Sequence, residues 1–390
     1  MRIALIHKRF STHGGTERYV YNLSRELIQR GNQVDIYCMN IAPSLKIEMK
    51  GITFHQLRPL INWNIYKEIF FALKTRKIVT LGYDIVMGFG KTIKHDVYRA
   101  GGGIHKNFLL NRKAGNQAQA IRLLSFYSPK HIIKQSIEAL TYDLDNFGMI
   151  VVNSKHVRDE ITDFYDIPED RIEVIYNGVD VDKFNPKHKN TSIKIMERFR
   201  IPTDIPVILF VGTGFARKGL SLLIKAVSLL EKKYRRELSL VIVGKDNRSY
   251  SYRRQSQQEN LKHVYFLGPQ INVEKFYGIG DIFVLPTYYD PFANAALEAM
   301  ASGLPVITTS QNGASELITN GDNGYVLMEN SAEAIAQAIM KLLSNENYKA
   351  AGERARVVAQ QMTIEKNTDQ ILSVFSRVKK LADGVKGSHG

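Results

Sequence analysis

The stretch IFVLPTYYDPFANAALEAMASGLPVITT (282–309) contains two apolar runs separated by a loop and a helical pattern. The first run, 282–287, predicts a strand, and the small and apolar residues from about Ala293 to Gly303 predict a helix. A Leu-Pro pair then ends the helix, and PVITT (305–309) predicts the next strand. A strand, a helix and a strand in such a short stretch are typical of parallel sheets that helices cover on both faces.

The same alternation recurs along the chain in two series. The runs that predict strands are residues 2–7, 33–38, 53–57, 84–89 and 149–154 in the first series and 206–212, 238–244, 264–268, 282–287 and 305–309 in the second. We therefore predict an α/β fold with two doubly wound, Rossmann-like domains that face each other across a cleft. The first domain is expected at 1–185 and the second at 186–363, and a last helix at 364–384 is expected to pack back on the first domain.

Composition narrows the class of protein. Hydrophobic residues make up 44% of the 390 residues, and no apolar run approaches the roughly 20 residues that span a bilayer. The apolar run at the N-terminus is too short for a signal peptide. The single cysteine, Cys38, excludes an internal disulfide framework and fits a reducing compartment. We therefore expect a cytoplasmic protein that is soluble or attached to a membrane from outside it.

The net charge of +15 is unevenly distributed, and the stretch from Val97 to Ile137 contains seven basic residues and no acidic one. A surface of one sign implies an anionic partner, which is nucleic acid, anionic lipid or a phosphorylated substrate. Apolar and basic residues alternate within 108–134, which predicts a segment that docks on an anionic membrane surface. The alternative is a helix whose apolar side packs inside the first domain.

Two carboxylates flank the start of the helix in the opening stretch. Asp290 lies in the loop beyond the carboxyl end of the strand, and Glu298 lies about one and a half turns into the helix. We expect one of them to bind sugar hydroxyls and the other a ribose diol. The backbone N–H groups from Phe292 through Ala293 and Asn294 to Ala295 are expected to point into the same space. The alternative is that Asp290 caps the helix and Glu298 is solvated.

A second candidate site feature is VGTGFARKG (211–219), which leaves a strand, turns on Gly212 and Gly214, and presents Arg217 and Lys218 before a helix. Glycines allow a backbone to approach a phosphate closely, and two adjacent cations neutralise a diphosphate. As an isolated motif this pattern is weak, because a basic pair is commonly solvated.

Glycines at two further strand ends are assigned to the same ligand. HGGTER (13–18) places Gly14 and Gly15 at the first strand-to-helix turn, and Gly268 ends the run 264–268. The alternative for the first pair is an ordinary tight turn.

These motifs, together with DVYRAGGGIHK (96–106) and VIYNGVDVDKF (174–184), make nearly the whole chain resemble the family 4 retaining glycosyltransferases of the GT-B fold. Within that family the chain is most similar to the bacterial lipopolysaccharide-core glucosyltransferases. DPFANAALEAMASGLPV (290–306) is the most specific motif. The family usually has Glu at the position of Asp290 and often Gly at the position of Ala293, so these departures concern the identity of the donor sugar.

The resemblance implies transfer of a hexose, most simply glucose from UDP-glucose, to a lipopolysaccharide-core or other lipid-linked, anionic glycan. It implies that Glu298 binds the ribose, that Asp290 binds the sugar, and that Arg217 and Lys218 stabilise the leaving diphosphate without a metal or another cofactor. The remaining donor-binding residues would be Gly14, Gly15, Gly212, Thr213, Gly214, Gly268, Phe292, Ala293, Asn294 and Ala295. Relatives commonly carry Arg where Thr213 stands.

The resemblance also implies a role for His105, which lies where relatives place a residue of the catalytic site in the N-terminal domain. It would orient the sugar or the acceptor, and a purely structural role is the alternative. The implied location is the cytoplasmic face of the bacterial inner membrane.

Three other functions were weighed against this one. A metal-dependent transferase would need an Asp-x-Asp triplet, and Asp143 with Asp145 or Asp180 with Asp182 match only a pattern that is common by chance. A sugar-nucleotide epimerase of the same fold would convert a donor without an acceptor. A basic nucleic-acid-binding protein would carry a recognition module, which this sequence lacks, so no nucleic-acid partner is expected.

Overall fold

The structure, a computed structural model, describes residues 1–12, 14–111 and 128–387. These residues form two compact units. The first consists of the chain up to Leu109, a later segment that ends at Gly178 and the segment from Ile364 onward, and the second contains Val179–Thr363. Most of the segment predicted to dock on a membrane, 112–127, lies outside the described residues.

A seven-stranded sheet forms the centre of the first unit. Its strands are β1 (Arg2–Ile6), β3 (Gln33–Cys38), β5 (Ile52–Gln56), β6 (Ile85–Phe89), β7 (His95–Arg99), β8 (Phe147–Val152) and β9 (Ile172–Val174), and a separate pair is formed by β2 (Arg9–Phe10) and β4 (Asn40–Ile41). The seven strands are parallel in the order β5-β3-β1-β6-β7-β8-β9. The chain therefore reverses its direction of winding between β1 and β6, and ligands of doubly wound sheets bind beyond the carboxyl ends at such a switch point.

The helices of the first unit pack on this sheet. They are α1 (Gly15–Gln29), α2 (Pro43–Glu48), α3 (Asn64–Thr75), α4 (His105–Asn111), α5 (Pro129–Thr141), α6 (Lys155–Tyr165) and α14 (Ile364–Gly387). Val20, Leu23 and Leu27 recur at helical spacing and form the apolar stripe of α1, and all three are buried in one cluster with Ile3 and Leu5 of β1. Burial of each such side chain contributes roughly 1.5–3 kcal/mol to folding.

The last helix, α14, belongs to the core of the first unit. Ile371 and Phe375 are fully buried in the same cluster as the stripe of α1. Polar contacts flank this core, because Arg30 Nη2 donates to Asp369 Oδ1 at 3.0 Å. Residues of α14 therefore complete a core to which β1 and α1 also contribute.

The second unit also has a parallel sheet at its centre, with six strands. They are β10 (Val207–Val211), β11 (Ser239–Val243), β12 (Val264–Gly268), β13 (Ile282–Leu285), β14 (Val306–Thr309) and β15 (Gly324–Leu327). All are parallel, in the order β12-β11-β10-β13-β14-β15, so the switch point lies between β10 and β13. Its helices are α7 (Ser192–Phe199), α8 (Leu220–Tyr234), α9 (Ser249–Gln258), α10 (Glu274–Tyr277), α11 (Asn294–Ala301), α12 (Ala332–Leu343) and α13 (Asn347–Gln360).

The ten predicted strands are confirmed within one or two residues at their ends, and the strands β2, β4, β7, β9 and β15 were not predicted. β7 was missed because HDVYR is half polar. Its His95 is nevertheless buried, where its Nε2 lies 2.7 Å from Thr92 Oγ1. Within the described ranges, no helix is both long and apolar enough to cross a membrane.

Candidate active site

The loop between β10 and α8 has a conformation that only glycines allow. Gly214 has φ +72° and Gly219 has φ +76°, and a Cβ on Gly219 would lie 1.9 Å from the carbonyl oxygen of Pro286. Asp246 Oδ2 accepts the N–H of Phe215 at 2.7 Å and so fixes the middle of the loop. The loop therefore packs directly against the segment that leaves β13, as the switch-point geometry requires.

Three charged side chains meet at this switch point. Arg217 Nη1 donates to Asp290 Oδ2 at 2.9 Å and to the Tyr289 carbonyl oxygen at 2.6 Å, and the ammonium of Lys218 contacts the same carboxylate oxygen. Lys218 and Asp290 are each only 7% exposed. The interpretation of Arg217 and Lys218 as a solvated surface pair is therefore wrong, and we name the three residues the ion-pair cluster.

Burial alone would raise the pKa of the Asp290 carboxyl, but the cations of Lys218 and Arg217 outweigh that effect and hold the pKa at about 2. Asp290 is thus ionised at any physiological pH. Removal from water lowers the pKa of the Lys218 ammonium, and Asp290 opposes that shift. In the structure Oδ2 of Asp290, the carboxylate predicted to bind sugar hydroxyls, contacts both cations.

A hydroxyl and a backbone N–H fix the position of Arg217 from the other side. Thr287 Oγ1 donates to the carbonyl oxygen of Arg217 at 3.0 Å, and the N–H of Tyr288 donates to the same oxygen at 2.8 Å. Among the described residues, Nε and Nη2 of Arg217 have no hydrogen-bond partner, and the side chain is 21% exposed. The guanidinium therefore retains donors that an anion can accept.

Glu298 lies in α11 and is buried, with 5% of its surface exposed. Tyr277, at the end of α10, donates its hydroxyl to Glu298 Oε2 at 2.8 Å. The interpretation of Glu298 as a solvated helix residue is therefore wrong. A buried carboxylate needs such donors, because an unpaired charge in the interior is costly.

The backbone before α11 is held by a buried amide. Asn312 Oδ1 accepts the N–H of Ala293 at 3.0 Å and that of Ala314 at 3.1 Å. The expectation that the N–H groups of residues 292–295 all point toward a ligand is thus wrong for Ala293, whose N–H is already paired. Phe292 and Ala293 are buried, whereas Asn294 and Ala295, in the first turn of α11, are partly exposed.

The other residues assigned to the donor in the second unit lie along the same edge of its sheet. Gly212 follows β10, and its N–H donates to the Val243 carbonyl oxygen at 3.0 Å. Thr213 and Gly214 come next and are exposed. Gly268 ends β12 with φ +72° and accepts the N–H of Gly244 at 2.9 Å. All of them therefore lie at carboxyl ends of parallel strands.

Gly14, Gly15 and His105 belong to the first unit. Gly14 has φ +101° and its carbonyl oxygen accepts the N–H of Arg18 at 3.1 Å, while Gly15 is the first residue of α1. The two glycines thus form the N-terminus of a long helix that begins beyond the carboxyl end of β1, a position that suits an anion.

His105 begins α4 and is held through its backbone and its ring. Glu138 of α5 accepts the N–H of His105 with both oxygens, at 3.0 and 3.2 Å, so its carboxylate caps the first turn of the helix. His105 Nε2 lies 3.0 Å from Nδ1 of His131, also in α5. Two imidazoles that share one hydrogen bond have a defined orientation.

The Asp-x-Asp triplets act as turn caps in the structure. Asp143 accepts the N–H of Asp145 at 3.0 Å, and Asp180 accepts the N–H groups of Asp182 at 3.1 Å and Lys183 at 2.9 Å. In the part of the chain that the structure describes, no group of three or more His, Cys, Asp or Glu residues has an arrangement that could hold a metal ion.

Sequence reasoning missed four residues that support these sites. They are Asp246, which fixes the loop before Arg217, Tyr277 and Asn312, which hold Glu298 and Ala293, and Glu138, which caps the helix of His105. Their only sequence signal is a polar residue inside or directly after an apolar run. Which residue each one contacts follows only from the topology.

Family models match both halves of the chain. Residues 13–183 match the model described as "Glycosyltransferase Family 4", and residues 191–358 match "Glycosyl transferases group 1". One relative is "Uncharacterized glycosyltransferase MJ1607" of Methanocaldococcus jannaschii, which is 26% identical over 90% of each chain. Another is "D-inositol 3-phosphate glycosyltransferase" of Corynebacterium aurimucosum, which is 26% identical over 96% of each chain.

Solved structures share the fold. WaaG, described as a glycosyltransferase involved in lipopolysaccharide biosynthesis, superposes with a TM-score of 0.79 at 20% identity and covers 96% of this chain and 99% of its own. HepE of Anabaena in complex with UDP-glucose superposes with a TM-score of 0.72 at 16% identity, over 97% and 100% of the chains. The predicted GT-B fold is confirmed, and because the two family models together span most of the sequence, the chain belongs to the family 4, group 1 glycosyltransferases.

Proposed function

We propose that the protein is a retaining hexosyltransferase that transfers glucose from UDP-glucose to an anionic lipopolysaccharide-core or other lipid-linked glycan. The observation that carries the proposal is the ion-pair cluster, which fixes two cations at the switch point of the second unit's sheet. The UDP-glucose complex of HepE, which has the same fold, supports the donor, and the relative named for D-inositol 3-phosphate supports an anionic acceptor.

In the proposed reaction the bond between the anomeric carbon and the diphosphate breaks, and a bond to an acceptor hydroxyl forms on the same face. The departing phosphate oxygen takes the acceptor proton, so no protein nucleophile is needed. Negative charge grows on the diphosphate as it leaves, and Lys218 and Arg217 then bind it more strongly than they bind the intact donor. Because Asp290 fixes both cations beforehand, little reorganisation is required.

The roles that we propose for the other site residues follow from their positions in the two units. Glu298 would accept hydrogen bonds from the ribose hydroxyls, and Tyr277 would hold its carboxylate for that purpose. Asn294 and Ala295, in the first turn of α11, would offer N–H groups to the sugar or the phosphate. In the first unit, Gly14 and Gly15 would approach the donor, and His105 would orient the sugar or the acceptor.

The test is a screen of nucleotide sugars with the purified chain, in which donor consumption and the anomeric configuration of the product are followed by NMR. We expect UDP-glucose to be consumed, the product to retain its configuration, and turnover to survive a strong chelator. Loss of turnover on chelation that magnesium or manganese restores would contradict the metal-independent part of the proposal. An isomerised donor formed without any acceptor would instead identify an epimerase.

We also propose that the protein acts in the cytoplasm, at the inner face of the bacterial inner membrane, through the basic residues of 97–137. Co-sedimentation with anionic and with neutral vesicles, compared with binding to duplex DNA over a range of salt concentrations, tests this location. Stronger binding to DNA than to anionic vesicles at physiological salt would contradict it.

A further inference from the structure

Four lysines gather at the switch point of the first unit, outside the site described above. Lys8 follows β1 and Lys91 follows β6, and these two strands are neighbours in the sheet. Lys130 and Lys134 lie one turn apart on α5. Glu138, one turn after Lys134 on α5, contacts the ammonium of Lys91, so this helix lies beside the end of β6. Lys8, Lys91 and Lys130 also influence the ionisation of Lys134. We name them the lysine cluster.

The lysine cluster has more cations than carboxylates. Glu68 of α3 accepts from Lys8 Nζ at 2.7 Å, and Glu138 contacts the ammonium of Lys91. Glu138 is shared with other donors, since it also accepts the hydroxyl of Tyr165 at 3.1 Å. Among the described residues, Lys134 has no hydrogen-bond or ion-pair partner, and its side chain is only partly exposed.

Placing Lys134 there is unfavourable in the absence of a ligand. Burial is the main cause that lowers the pKa of its ammonium. The carboxylate of Glu68 raises this pKa, and the charges of Lys130, Lys91 and Lys8 each lower it. A bound anion would remove this repulsion. Anions are the ligands that the carboxyl edge of a doubly wound sheet accommodates at a switch point.

We propose that the lysine cluster is a binding subsite for a phosphate group of the acceptor. The identity of the ligand as the acceptor rests on the proposed function, whereas phosphate binding itself does not. Glu138 links the subsite to His105, because the same carboxylate contacts Lys91 and caps the helix of His105. A phosphate bound by Lys134 and Lys8 would therefore lie close to the residue assigned to orient the acceptor.

The first experiment measures the binding of inorganic phosphate by calorimetry at constant ionic strength. We compare the wild type with Lys134→Gln, Lys8→Gln and the matched control Lys94→Gln, an exposed lysine of the same loop that follows β6. We expect the two cluster variants to bind phosphate about tenfold more weakly or to lose one phosphate site, because each removes a charge-assisted contact. Phosphate at the donor site cancels in the comparison, since that site is unchanged.

Thermal unfolding separates this role from a structural one. Lys134→Gln should melt at the same temperature as the wild type or higher without phosphate, because one repelling charge is removed, and phosphate should stabilise it less. Unchanged phosphate affinity in both cluster variants, or an equal loss in Lys94→Gln, overturns the proposal. A Lys134→Gln variant that is clearly less stable without phosphate also overturns it, because the lysine would then stabilise the fold.

Two further assays identify the source of the phosphate. If Lys134→Gln also loses co-sedimentation with phosphatidylglycerol vesicles, the phosphate belongs to a lipid headgroup, and if it retains it, the phosphate belongs to a soluble part of the acceptor. Donor consumption is measured in parallel. A wild type that consumes no nucleotide sugar refutes the proposed function, whereas the phosphate measurement still decides on the subsite.

Discussion

Both units place cations at the switch point of a parallel sheet, but the two groups of cations differ in how completely carboxylates pair with them. In the second unit, Lys218 and Arg217 share one buried carboxylate, that of Asp290. In the first unit, the four lysines of the lysine cluster have two carboxylates, and Lys134 has no hydrogen-bond or ion-pair partner in the described part of the chain. Both cations of the ion-pair cluster contact a carboxylate, whereas the lysine cluster contains a lysine that, among the described residues, does not.

The difference indicates two uses of positive charge. A buried, paired cation has a fixed direction before a ligand arrives, so it can stabilise charge that develops during a reaction. Where partly exposed cations outnumber carboxylates, a bound anion supplies the compensating negative charge. Such cations therefore favour binding of the ligand in its ground state. We therefore expect substitutions in the ion-pair cluster to affect turnover and those in the lysine cluster to affect affinity.

The largest effect is expected for Lys218→Ala. Turnover should fall by about 10²–10³, because one preorganised donor to the leaving diphosphate is lost, while donor affinity should change less. Steady-state kinetics with UDP-glucose measure both quantities. Lys218→Arg should restore turnover only in part, since a planar guanidinium cannot reproduce the position of a compact ammonium.

The matched control for Lys218→Ala is Lys225→Ala, an exposed lysine on the helix that follows the loop. It should retain the turnover and the melting temperature of the wild type. Full activity in a folded Lys218→Ala variant would remove the ion-pair cluster from the reaction, and the contrast between the two units would then concern stability alone.

The two units should also differ in the pH range over which they lose stability. His95 of the first unit is buried and neutral, and burial lowers its pKa from 6.5 to about 3. Between these values the unfolded chain binds a proton that the native chain does not. The free energy of unfolding should therefore decrease by about 1.4 kcal/mol for each pH unit as the pH falls. Urea denaturation of the wild type and His95→Gln measures the difference in slope.

The contribution of the ion-pair cluster to the free energy of unfolding should be lost over a lower pH range. The pKa of Asp290 is about 2 in the native chain against 3.8 ordinarily, so its contribution is complete above pH 3.8 and disappears as the pH falls toward 2. Asp290→Asn should therefore leave the slope between about pH 6.5 and 4 unchanged. An equal slope in the wild type and His95→Gln would show that His95 does not titrate as proposed.

A smaller effect is expected for Glu298→Gln. Donor affinity should decrease by about tenfold, because a neutral amide accepts hydrogen bonds from a diol more weakly than a carboxylate does. The fold should be retained, since an amide oxygen can still accept the hydroxyl of Tyr277. Titration calorimetry with UDP gives the affinity, and an unchanged value would exclude Glu298 from the donor site.

The smallest effect is expected for Tyr277→Phe, which removes the hydroxyl that holds Glu298. The loss of this hydrogen bond should weaken donor binding by a few fold and lower the free energy of unfolding by about 1–3 kcal/mol. A decrease in affinity as large as that of Glu298→Gln would mean that Tyr277 contacts the donor itself.

The strands and their parallel direction were predictable because apolar runs of five or six residues, such as VILFV in β10, are buried on both faces and need no long-range information. The strand β7 was not predicted because polar residues interrupt its apolar run. Its Asp96 accepts the N–H of Val86 at 2.7 Å from the neighbouring strand β6. When the hydrogen-bond partners of a strand's polar residues lie in other elements, the local sequence does not identify the strand.

The candidate site was predictable only as a set of residues. Lys218 and Asp290 were both selected from sequence, but their contact spans 72 positions, and no periodicity encodes it. The lysine cluster was predictable only in part. Lys130 and Lys134 lie in the basic stretch 97–137, but Lys8 and Lys91 are far from them in sequence and each resembles an ordinary surface lysine. Only the switch-point topology brings such residues together.

The placement of α14 in the first unit has a consequence for synthesis. The chain emerges from the ribosome N-terminus first, and nearly all of the second unit, Val179–Thr363, is complete before α14 appears. The core around α1 is incomplete until Ile371 and Phe375 have been synthesised. The second unit can therefore fold while the first still exposes an apolar face, which α14 covers once it has been synthesised.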